Sequence, residues 1–147
     1  MACILDVAKY ILSKKGNMTA MKLEKLCYYS QAWMLAWEEI PMFEDDFEAW
    51  ANGPVSRRLF NLHRGKFIVS SADISAEYGR TNLDDTQVDV IDRILDYYGD
   101  KEPNWLSELT HLERPWKDAR ARAHAAPGEY CDEVILKSDM MDYYGGL

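Results

Sequence analysis

The side chains able to do chemistry are few and scattered. His63, His111 and His124 have no second His or Cys at a metal-ligand spacing. His111 lies between Glu108 and Glu113, but on a helix those three point in different directions. Cys3, Cys27 and Cys131 are odd in number and far apart, with no Cys-x-x-Cys pair, so neither a disulfide framework nor a zinc site is indicated. Cys27 falls within an apolar helical pattern, where desolvation keeps a thiol inert. No Gly-x-Gly-x-x-Gly, phosphate loop or nucleophile elbow occurs. Carboxylate pairs such as Asp84-Asp85 and Asp132-Glu133 read as solvated faces. The expectation is no catalytic residue, no metal and no cofactor: a binding protein rather than an enzyme.

Binding chemistry is better represented. Trp50, Asn52, Arg57 and Arg58 surround an Asn-Gly-Pro bend. Turn chemistry explains the bend itself: Gly for the tight turn, Asn to cap it and Pro at the first helical position. The same segment can also display a Trp and two Arg, the residue types that dominate interface hot spots. Two adjacent helical residues stand about 100° apart, so at most one of Arg57 and Arg58 faces the core. Trp116 stands between core and interface. The predicted partner-binding set is therefore Trp50, Asn52, Arg57, Arg58 and Trp116. A cluster of Arg114, Lys117, Arg120 and Arg122 beside Trp116 has the composition of a nucleic-acid surface. It reads instead as a helix face paired with acidic neighbours, because counterion-release binding needs a wider basic field.

Charge supports that choice. The formal net charge of the 147 residues is −8. Residues 1–67 hold 9 Lys+Arg against 8 Asp+Glu, and residues 68–147 hold 8 against 17. Nucleic acid and anionic membranes repel a chain of this sign, whereas a basic protein is drawn to it. No apolar run approaches the ~18 residues of a span. The N-terminus lacks a signal-peptide layout, and the expected location is the cytoplasm.

The elements that must position these residues follow from periodicity. Ile4, Val7, Ala8, Ile11 and Leu12 form one face of a helix over 3–15. Thr19 caps a second helix that is apolar nearly all round, Leu23 to Trp37, with polar exits at Lys22, Glu24, Lys25 and Gln31. This is the expected central helix, with Trp33 and Trp37 in the core. A third helix begins at Asn52-Gly53-Pro54. Phe67–Val69 is a possible strand and 70–82 a polar loop. The spacing of Asp84 and Gln87 predicts a capping box. Pro103 opens a helix with Trp105, Leu106, Leu109 and Leu112 inward, and Pro115 starts a short one. Val134–Leu136 reads as a brief strand, and Ser138 as the cap of a last helix. The fold class is mainly α: about six or seven helices around a central helix, with at most a small β element.

Three stretches carry a resemblance. They are Lys22–Trp33, with its Tyr-Tyr-Ser-Gln-Ala-Trp end; Phe47–Val55, with Ala-Trp-Ala-Asn-Gly-Pro-Val; and Glu113–Arg120, with its Pro-Trp. In this order and spacing the chain resembles the Panacea domain of SocA-like and phage-associated GepA-like antitoxins. The resemblance runs over about 3–123, leaving 124–147 as a C-terminal tail on a single domain spanning 1–147. It implies an antitoxin that neutralises a cognate protein toxin by direct contact. The alternative it leaves open is an adaptor that delivers the toxin to a host protease. An enzyme acting on nucleotides or nucleic acid is the third and least supported reading. The family brings no established catalytic residues.

Overall fold

A computed structural model describes residues 2–147. Helix α1, Ile4–Lys15, starts with the Asp6 carboxylate accepting from the Cys3 amide at 2.9 Å. Its basic last turn, Lys14 and Lys15, suits the helix dipole. Helix α2, Ala20–Glu38, is capped by the Thr19 hydroxyl, which accepts from the Lys22 amide. Leu23, Leu26, Cys27, Tyr28, Tyr29 and Ala32 are fully buried along it. The remaining helices are α3 (Arg57–His63), α4 (Asp85–Tyr98), α5 (Pro103–Leu112), α6 (Arg114–Arg122) and α7 (Lys137–Gly145). Helices α1, α4, α5 and α7 all pack on α2, which is the central helix that its all-round apolar pattern predicts. The class is mainly α, as expected.

Two small antiparallel pairs complete it. Strand β1 (Met18–Thr19) pairs with β4 (Ile68–Val69), and β2 (Glu48–Trp50) with β3 (Gly53–Val55). Val134 makes only an isolated bridge to Glu48 rather than a strand.

Several expectations are corrected. Asn52-Gly53-Pro54 does not open a helix: it forms the tip and return strand of the β2–β3 hairpin, and Ser56 caps α3 instead. Glu24, Lys25 and Gln31 are not polar exits but buried. Gln31 explains itself: its amide donates to the Phe43 carbonyl, and its oxygen accepts from the Met42 amide, both at 2.7 Å. That satisfies the segment leaving α2, as burial requires. Trp37, in the last turn of α2, is 44% exposed because its ring, packed on Trp33 and approached by Arg93, lines an open cavity rather than meeting another core element. Trp105 and Leu112 also face outward. Leu136, not Ser138, is the N-cap of α7. The 70–82 loop holds two short 3-10 turns, and Lys9 pins it by donating to the Ser71 and Ile74 carbonyls.

Candidate partner-binding site

The β2–β3 hairpin is held from three sides. From α2, the Glu24 carboxylate accepts from the Ser56 amide at 2.9 Å and lies 2.8 Å from His63 Nε2. Burial pushes the Glu24 carboxyl up, against the lowering effect of His63. The neighbouring Lys25 ammonium donates to the Pro54 carbonyl at 3.2 Å, and burial depresses its pKa to about 8. Lys25 also explains the glycine of the bend. Gly53 has φ +119, and a Cβ there would stand 2.5 Å from Lys25 Cε and 3.0 Å from Thr110 Oγ1. Only glycine meets both the backbone and the space.

From α5 and α6, the Ser107 hydroxyl donates to the Asn52 carbonyl and Trp116 Nε1 donates to the Trp50 carbonyl at 2.9 Å. The Trp116 ring stacks on His111, with centroids 4.1 Å apart. Arg120 is buried; it donates to the Ala49 carbonyl at 2.9 Å and to the Ala126 and Glu129 carbonyls at 2.8 Å. The hairpin carbonyls of Ala49, Trp50 and Asn52 are each satisfied by a side chain remote in sequence. The hairpin is thus a rigid platform.

Its outer rim carries part of the predicted set. Arg57 lies with its guanidinium 4.9 Å from the Trp50 ring centroid and 3.1 Å from the Glu48 carboxylate, which also accepts from Trp50 Nε1. Asn52 is exposed at the tip. Behind them lies a cavity of about 420 Å³, lined by Met21, Lys25, Trp50, Asn52, Phe60 and Tyr130. Trp50, Asn52 and Arg57 therefore share one rim. Arg58 does not join them: it turns to Asp45, at 3.4 Å, and Tyr78. Trp116 sits half-buried beneath the hairpin as a brace.

The basic cluster is dispersed. Arg120 is interior, Arg122 pairs with Glu133 and Asp139, and Arg114 lies 3.7 Å from Asp118. Among the described residues no group of three His, Cys, Asp or Glu is placed to hold a metal. The three cysteines are free, and burial pushes the Cys27 thiol well up.

The family model for the SocA-like antitoxin Panacea domain matches residues 23–117. The chain belongs to that family. The matched span is narrower than 3–123, yet it holds Glu24, Lys25, the hairpin, Ser107 and Trp116. The Panacea stretches are therefore the parts that touch: Lys22–Trp33 supplies the pair under the hairpin, Phe47–Val55 is the hairpin, and Glu113–Arg120 braces it. No curated protein and no solved structure matches the chain. Sequence reading missed Glu24, Lys25, His63 and Arg120 as parts of this assembly. The available signal was two charges, Glu24 and Lys25, inside an otherwise apolar helix face.

Proposed function

We propose that this protein is the antitoxin of a toxin–antitoxin pair and that it silences a cognate basic protein toxin by binding it directly. The whole chain, 1–147, acts as one Panacea-like unit in the cytoplasm. Trp50, Asn52 and Arg57 form the contact rim, with Trp116 bracing it from beneath, whereas Arg58, turned to Asp45 and Tyr78, lies outside it. Membership in the family supports the antitoxin role. The observation that carries the site is the bracing of the hairpin. A Trp and an Arg held on satisfied backbone lose little entropy when a partner covers them. The net charge of −8 favours a basic partner by steering it.

Co-expression with the product of a neighbouring toxin gene tests this reading. Growth is restored by the wild type and lost with Arg57→Ala. Failure to restore growth against every neighbouring gene product refutes the antitoxin role. Rescue that disappears in a strain lacking one host protease turns the role into that of an adaptor.

A further inference from the structure

A second cavity, of about 460 Å³, opens on the opposite flank of α2. Its volume is that of a small-molecule site. Its walls are aromatic: Trp33 and Trp37 from α2, Tyr97 and Tyr98 from the end of α4, and Trp105 from α5. The two α2 rings lie 5.2 Å apart and the two α4 rings 4.6 Å apart, edge to face. Trp33 Nε1 donates to the Tyr98 hydroxyl at 3.1 Å, tying the two walls together. Aromatic rings in such numbers usually belong to the core, yet Tyr97 is 63% exposed and Trp37 and Trp105 also face solvent.

Among the side chains that line this space, one is a carboxylate. Glu113 is only 6% exposed. Its Oε1 accepts from the Tyr29 and Tyr144 hydroxyls, both at 2.7 Å. Its Oε2 accepts no hydrogen bond from any described residue, is not among the fully enclosed unpartnered atoms, and so keeps contact with the open space that Glu113 lines; among the described residues no Lys, Arg or His nitrogen lies within 4.0 Å of either oxygen. A carboxylate on a largely buried residue, with one oxygen unpartnered and open to the cavity, beside ring faces that carry negative potential, is suited to a cation. The rings already attract cations at the rim. Lys101 Nζ stands 4.8 Å from the Trp105 centroid, and Arg93, itself paired to Asp89, 5.6 Å from that of Trp37.

We propose that this cavity is a binding site for a quaternary ammonium compound, held by the aromatic walls and by the free oxygen of Glu113. A quaternary ammonium has no N–H bonds to satisfy and is weakly hydrated. It therefore fits a place with many ring faces and one carboxylate side chain better than lysine or a metal ion would. The proposal does not rest on the antitoxin reading.

Choline and its uncharged isostere 3,3-dimethylbutan-1-ol are the probes, titrated into the full chain while the tryptophan indole resonances are followed. Choline shifts Trp33, Trp37 and Trp105 saturably below about 10 mM. It binds at least about tenfold more tightly than the alcohol, the discrimination expected of one charge pair. Glu113→Gln keeps an oxygen for the two tyrosines and loses about tenfold in choline affinity. Equal binding of choline and the alcohol, unchanged affinity in Glu113→Gln, or shifts confined to Trp50 and Trp116 would overturn the site. If Glu113→Gln does not fold, Trp37→Ala carries the test, since that ring is exposed. Unchanged choline affinity there refutes the proposal.

Discussion

Replacing Gly53 with alanine tests the joint between the two most specific family stretches. Two costs are expected. At φ +119 an alanine backbone is strained by about 1–3 kcal/mol. Its Cβ would also meet Lys25 Cε at 2.5 Å. Lys25 is buried and anchored on the Pro54 carbonyl, so it cannot swing into solvent, and overpacking adds about 1–3 kcal/mol. The sum, about 2–6 kcal/mol, is a large share of the ~5–15 kcal/mol that holds a domain together. It corresponds to a fall in Tm of roughly 5–20 °C. Urea unfolding followed by tryptophan fluorescence measures it. The same substitution in a Lys25→Ala background retains the backbone strain and loses the clash, so the two changes couple by about 1–3 kcal/mol. A cost under about 1 kcal/mol, or equal costs in both backgrounds, would show that Lys25 and the bend do not meet as described.

Three further outcomes follow from the same geometry. Arg120→Ala strands three carbonyls and lowers stability by about 3 kcal/mol or more, measured by denaturant unfolding; a change within about 0.5 kcal/mol refutes the bracing role. The buried Lys25 amine gives up its proton near pH 8, whereas an unfolded lysine holds it to about 10.5. Between those values the unfolded chain binds more protons, so wild-type stability rises with pH relative to Lys25→Met, by at most about 1.4 kcal/mol per pH unit; a flat difference curve contradicts the burial of the ammonium. Arg58→Ala, which removes contacts to Asp45 and Tyr78, keeps neutralisation in a growth-rescue assay, because its guanidinium turns away from the Trp50 rim; loss of rescue without loss of fold would place the contact face on the other side.

The helices were legible because their signals are local. Capping boxes, prolines at first turns and the 3.6 period of apolar residues act within a few positions, and α1, α2, α4 and α5 appear where those signals lie. What failed depends on partners distant in sequence. Glu24, Lys25 and Gln31 look like solvent-facing positions on hydropathy alone. They are buried because Ser56, Pro54 and the Met42–Phe43 backbone stand opposite them. Asn52-Gly53-Pro54 satisfies the rules for a helix start and for a hairpin return equally well. The strand at Glu48–Trp50, which pairs with Gly53–Val55, decides between them. Trp37 continues the apolar stripe of α2, but periodicity reports only the face of a residue and not whether another element reaches it. The candidate rim was partly readable: Trp50, Asn52 and Arg57 converge, while Arg58 and Trp116 are placed by contacts that no spacing announces.

Direct binding of purified components is the most immediate test of the central claim. Isothermal titration of the product of a neighbouring toxin gene with this protein gives a saturable complex. Arg57→Ala, whose Tm stays within about 2 °C of wild type as for an exposed side chain, binds at least about tenfold more weakly. Growth rescue in cells without any complex at about 10 μM of the purified pair, well above the affinities usual for stable complexes, would contradict neutralisation by direct contact. Equal affinity of Arg57→Ala would remove the hairpin rim from the interface.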